Sequence, residues 1–136
     1  MKKLNKKNAL MLVCVFVMGF GIVSNAATSV FDITVTSSGQ NQDPISFKTI
    51  KDQDGDNNFY VTPTYCSTTG SYYVASINLN SPSIRSSKKY VPSNGVNVNY
   101  KFSYGSNVPD GQYYYLECYY NAASSPTMHI KGRYTP

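Results

Sequence analysis

Residues 96 to 104 read VNVNYKFSY, and their alternation decides the fold class. Val96, Val98, Tyr100, Phe102 and Tyr104 fall on one side of an extended chain, with Asn97, Asn99, Lys101 and Ser103 on the other. A period of two with one apolar side marks a strand that is dry on one face and wet on the other. The same rhythm recurs outward from this stretch. VFDITVT puts Phe31, Ile33 and Val35 together, and ISFKTIK offers Ile45 and Phe47. NFYVTPTYC groups Phe59, Val61 and Tyr65, with Pro63 on the same register, which argues for an edge or a bulge. SYYVASINLN supplies Tyr73, Ala75, Ile77 and Leu79, and a weaker run near Arg85 to Val91 predicts one short strand. QYYYLECYY sets Tyr114, Leu116 and Cys118 against Tyr113, Tyr115, Glu117 and Tyr119. TMHIKGRY sets Met128 and Ile130 against His129, Lys131 and Arg133.

Gly, Pro, Asn, Asp and Ser separate these runs about every 8 to 12 residues, and no segment carries a 3.6-residue apolar period. The expectation is an all-β domain over residues 27–136: an immunoglobulin-like antiparallel β-sandwich of seven to eight strands. Ahead of it, residues 1–26 read as a signal-peptide helix. Lys2, Lys3, Lys6 and Lys7 precede an apolar run from Ala9 to Val23, and Ser24 and Ala26 supply small residues for cleavage near Ala26. That run has 15 residues, short of the ~20 a membrane-spanning helix needs. Cys14 lies within it and is expected to leave with it. The expected location is therefore extracellular.

Removal of this leader changes the charge argument. The chain has 12 basic and 7 acidic residues, but four lysines belong to the leader and every acidic residue lies beyond it. The remaining domain is nearly neutral, so the basic balance gives no reason to expect nucleic acid as a partner. All 13 tyrosines lie in the domain, and there is no tryptophan. Most of these rings suit half-buried strand positions. Tyr113, Tyr115 and Tyr119, opposite the expected core face, and Tyr72 beside them are the candidate binding residues for a sugar, a membrane surface or another surface protein. Cys66 and Cys118 form a disulfide candidate in an oxidising compartment. Such a bridge would stabilise the fold by about 4 kcal/mol in the chain-entropy model.

Few residues point to chemistry. In KDQDGDNNFYV, Asp52, Asp54 and Asp56 match the alternate acidic positions of a calcium loop and make calcium the one candidate cofactor. Asn57 stands where such a loop has glycine, and Pro63 where it has a bidentate glutamate. The competing reading is a turn in which Asp and Asn bond their own backbone and Gly55 takes positive φ. His129 is the only histidine and falls on the polar side of the last strand. Glu117 is the only glutamate, and no nucleophile elbow exists. Cys66, Cys118 and His129 lack the close spacing of a zinc site. The expectation is a protein that is not an enzyme. Ser86, Ser87, Lys88 and Lys89 read as a solvated basic turn.

VPDGQYYYLECYY resembles the penultimate strand of immunoglobulin-like domains in its Asp-Gly turn and following tyrosines. It departs from the antibody pattern at Leu116, two residues before Cys118, where tyrosine is usual. Over residues 45 to 136 the layout resembles a family of small exported proteins of Gram-positive bacteria, domain-of-unknown-function family 2712. The likeness lies in the run NFYV, the YYL strand and the ending GRYTP. That resemblance implies no catalytic residues. Size and export are similar to those of lactococcin-type secreted bacteriocins. The expected role is a secreted, non-enzymatic binding module at the cell surface, with a bacteriocin-like antimicrobial protein as the alternative.

Overall fold

The computed structural model describes residues 27–36, 40–42, 47–120 and 127–136. The expected signal peptide lies outside the described residues, as do Ile45 and Asp43. Among the described residues nine strands form: β1 (Ser29–Thr36), β2 (Gln40–Gln42), β3 (Thr49–Ile50), β4 (Asn58–Cys66), β5 (Tyr72–Asn78), β6 (Lys89–Val91), β7 (Tyr100–Ser103), β8 (Tyr113–Tyr120) and β9 (Thr127–Thr135). They make two antiparallel sheets. Sheet I runs β1-β9-β4-β7, and sheet II runs β2-β8-β5-β6, with β3 end to end with β2 along the same side of β8.

The architecture is the antiparallel β-sandwich the alternation predicts. With β2 and β3 counted as one interrupted strand, the chain changes sheet at every step except β5 to β6, in the order of two nested Greek keys, a jelly-roll path. The first and last strands pair along their whole length, from Ser29 opposite Tyr134 to Thr36 opposite Thr127.

The core lies between the sheets. Sheet I contributes Phe31, Ile33, Val35, Phe59, Val61, Met128, Ile130 and Tyr134; sheet II contributes Tyr72, Val74, Tyr114, Leu116, Cys118 and Tyr120. Each fully buried aliphatic or aromatic side chain of this size stabilises the fold by ~1.5–3 kcal/mol. Phe59 sits at the centre, its ring centroid 5.4 Å from that of Phe102 and 5.2 Å from that of Tyr104. Where the sheets face one another, Ser76 Oγ lies 2.6 Å from both Tyr104 OH and Tyr134 OH, all three side chains being buried. Ser76→Ala takes a shared partner from two buried hydroxyls and is expected to cost about 2 kcal/mol. A chemical-denaturation series with Ser76→Ala, Tyr134→Phe and the double variant checks this, and coupling below about 0.5 kcal/mol would refute it.

Three local departures from the expected pattern have identifiable causes. The run at 96–104 forms a strand only from Tyr100 to Ser103. Val98 is 48% exposed, and Asn97 has φ of 66°, which no strand residue adopts. In β4, the register shifts between Pro63 and Tyr65, so Pro63 is buried and Tyr65 turns outward while Cys66 turns inward. A bulge adds one residue and reverses the parity beyond it. In β5, Tyr72 and Val74 face the core, not Tyr73 and Ala75, because both faces of that strand are covered and the alternation is lost.

Candidate functional site

The outer face of sheet II gathers three of the four candidate tyrosines, Tyr113, Tyr115 and Tyr119, with Glu117. Antiparallel register places Tyr90, Tyr73 and Tyr119 side by side across β6, β5 and β8. The Tyr73 and Tyr90 rings meet edge to face at 5.8 Å, and the two residues are 39% and 53% exposed. In the next row Ala75 stands opposite Glu117, and beyond it Ile77 stands opposite Tyr115.

The segment after β5 turns back along the edge of that strand and continues into β6. Asn78 donates its N–H to Ile84 O at 2.9 Å, and Ser86 donates its own to Ser76 O at 2.9 Å. These bonds set Arg85 directly opposite Ile77. Arg85 Nη2 then donates to Glu117 Oε2 at 2.8 Å and also to Tyr119 OH, which itself bonds the Glu117 carboxylate. Lys88 Nζ sits 3.9 Å above the Tyr119 ring. Arg85, Ser86, Ser87, Lys88 and Tyr119 together line an open depression of about 520 Å³.

Burial and the Glu117 hydrogen bond push the Tyr119 hydroxyl up to about 12. Tyr119 is thus a neutral ring with a cation on its face, and the buried Glu117 is balanced by Arg85. The depression keeps basic character through Lys88, for which no carboxylate partner exists among the described residues. Exposed rings beside a cationic hollow can stack on apolar faces of a ligand while pairing with an anionic group.

The four candidate tyrosines divide. Tyr113 is 45% exposed on this face, as expected. Tyr115 and Tyr119 share the face but are only 8% exposed, and Arg85 and Lys88 close over Tyr119. Tyr72 is wholly buried in the core and is unavailable for binding; the parity of β5 is one residue off the expected one. Its hydroxyl has no hydrogen-bond partner among the described residues. Tyr73 and Tyr90 are the exposed tyrosines that sequence reasoning missed. Their signal was the β5 parity and a short edge strand next to it.

The aspartate loop closes on itself. Asp52 Oδ1 accepts from Gln53 N at 2.6 Å, Asp54 Oδ1 accepts from Asp56 N at 2.7 Å, and Gly55 has φ of 72°. Asp56 accepts from Asn58 and from Tyr60 OH, the latter at 2.8 Å, and the Asn58 bond is the chief cause of its lowered pKa. The buried Lys51 ammonium bonds Asp56 O and lies 3.0 Å from Asp110 Oδ1. Asp52 and Asp54 thus accept from the loop's own backbone and Asp56 from Asn58 and Tyr60, the arrangement of a self-bonded turn. No group of three or more His, Cys, Asp or Glu among the described residues is arranged to hold a metal.

Cys66 and Cys118 lie on the core sides of opposite sheets as free thiols, with no disulfide joining them. Cys66 Sγ contacts Thr68 O at 3.4 Å. His129 pairs with Asp32, which also holds Lys131 at 2.9 Å on the outer face of sheet I. No protein-family model, curated protein or solved structure matches the chain.

Proposed function

We propose that the protein is an exported, non-enzymatic binding module that engages the cell-surface glycan through the outer face of sheet II. The observation that carries this reading is the row Tyr90–Tyr73–Tyr119 running into the Arg85–Lys88 depression. Sugar rings present C–H faces that stack on tyrosine, and cell-wall polymers carry anionic groups that suit Lys88. Glu117, the only glutamate, is held by Arg85 and Tyr119, which supports a structural role for it over one half of a glycosidase carboxylate pair.

Sedimentation of the protein with purified cell-wall glycan tests the reading. Tyr73→Ala with Tyr90→Ala is expected to reduce retention at least tenfold. Both are exposed positions, so the stability change is expected to stay within about 1 kcal/mol. Equal retention of the double variant, or binding of anionic lipid vesicles in place of glycan, would overturn it.

A further inference from the structure

The segment whose sequence most resembles a strand leaves the sheet at its first half, and what it builds there is a second site. We propose that the groove on the outer face of sheet I, opposite the tyrosine face, takes a carboxylate-bearing sugar through Arg133. Register places Arg133 on β9 between Val30 of β1 and Thr62 of β4. Its guanidinium has no hydrogen-bond, ion-pair or ring partner among the described residues. The nearby charges are already matched. Asp32 is held by His129 and Lys131, and Asp56 by Asn58, Tyr60 and Lys101. Arg133 is the one charged side chain lining this groove, which has a volume of about 470 Å³. That lies within the ~300–1,000 Å³ of small-ligand sites.

The rest of the lining is hydroxyl and amide. Tyr60, Thr62, Asn97, Asn99 and Thr135 surround Arg133, and Thr62 Oγ1 donates to Asn99 Oδ1 at 2.9 Å. Two backbone irregularities meet here. The β4 bulge frees Pro63 O, which accepts the Asn97 N–H at 2.7 Å, and that bond holds Asn97 at positive φ. The Asn97 side-chain amide has no partner among the described residues. Bulges and left-handed residues cost stability and concentrate where side chains are aimed at a ligand. A planar guanidinium matches a carboxylate in a two-pronged pair, whereas the amides and hydroxyls match sugar hydroxyls. The lining offers no apolar hollow for a peptide side chain, which favours the sugar.

Isotope-labelled protein titrated with galacturonic acid trimer tests the site, with neutral galactose trimer and inorganic phosphate as comparisons. The acid trimer is expected to shift the resonances of Asn97, Asn99 and Arg133, and the comparisons are not. Arg133→Gln is expected to weaken binding at least tenfold, and Arg133→Lys, which keeps the charge but not the fork, severalfold. The saturation curve is read at Asn97, Asn99 and Arg133 alone, which separates this site from binding at the tyrosine face. The proposal falls if the acid trimer produces no shifts at millimolar concentration. It falls equally if these resonances in a folded Arg133→Gln or Arg133→Lys variant saturate at the same acid concentration as in the native protein, or if galactose or phosphate shifts Asn97, Asn99 and Arg133 as strongly as the acid does.

Discussion

Gly132→Ala is expected to lower the melting temperature by about 15 °C, corresponding to about 3 kcal/mol for a domain of this size. Gly132 lies on the core side of β9, an interior strand, opposite Phe31 on one flank and Pro63 on the other. A methyl group added there would press into the Thr62 carbonyl and the Phe31 ring, well inside van der Waals contact. Phe31 can turn aside, at the cost of its own packing; the carbonyl belongs to the neighbouring strand and cannot. An aromatic ring laid across a cross-strand glycine is a recurrent way of filling the space a missing side chain leaves. Thermal unfolding followed by circular dichroism measures the loss. Phe31→Ala in the Gly132→Ala background is expected to relieve only the ring part of the clash. A loss below about 1 kcal/mol would mean that the β4 bulge lets the two strands part.

Strands β1 and β9 were plain in the sequence because each has one wet face. In β1, Phe31, Ile33 and Val35 alternate with exposed residues, and in β9 Met128 and Ile130 do the same. The alternation fails where both faces are dry. From Tyr114 to Tyr120 every residue of β8 is buried, and β5 is buried throughout except at Tyr73. Pattern reading assigns such a strand an inner face from the largest apolar residues. In β5 that choice favoured Ile77 and Leu79 over Ser76, whose role in the core is to serve two tyrosine hydroxyls. On the outer face Arg85 and Lys88 reach Glu117 and Tyr119 from the segment after β5, and nothing in a local window shows that this segment turns back.

The candidate binding residues follow the same logic. Tyr113, Tyr115 and Tyr119 were placed on the correct face, because the parity of β8 was read correctly from Leu116 and Cys118. Their accessibility was not legible, since it depends on Arg85 and Lys88 arriving from another strand. At 96–99 a sound strand pattern lost to tertiary demand. Asn97 gives up extended geometry for a bond to Pro63 O, and its neighbours become the wall of a groove. Local rules broken by a sequence that otherwise obeys them are where function is to be sought.

Alkali is expected to unfold the protein cooperatively between about pH 11 and pH 12, through the tyrosines that make up so much of its core. Burial raises the hydroxyl pKa of Tyr72, Tyr104 and Tyr134 above the ordinary 10.0. In the unfolded chain these groups ionise near 10, whereas in the folded protein they stay neutral. The unfolded state therefore holds fewer protons above that pH, so stability is full below about pH 10 and falls as pH rises. Each such group withdraws up to about 1.4 kcal/mol per pH unit. Three of them remove about 4 kcal/mol by about pH 11 and about 8 kcal/mol by about pH 12, against a typical total of 5–15 kcal/mol. Tyr119, pushed up to about 12 by burial and Glu117, adds to the loss in the same window. Tyrosinate absorbance and far-ultraviolet circular dichroism, recorded on one titration, should change together in a single step. Tyr72→Phe removes both a titrating group and an unpartnered buried hydroxyl, so it is expected to move the midpoint to higher pH. Smooth ionisation of all 13 tyrosines near 10, with the β signal intact, would show that water reaches the hydroxyls between the sheets.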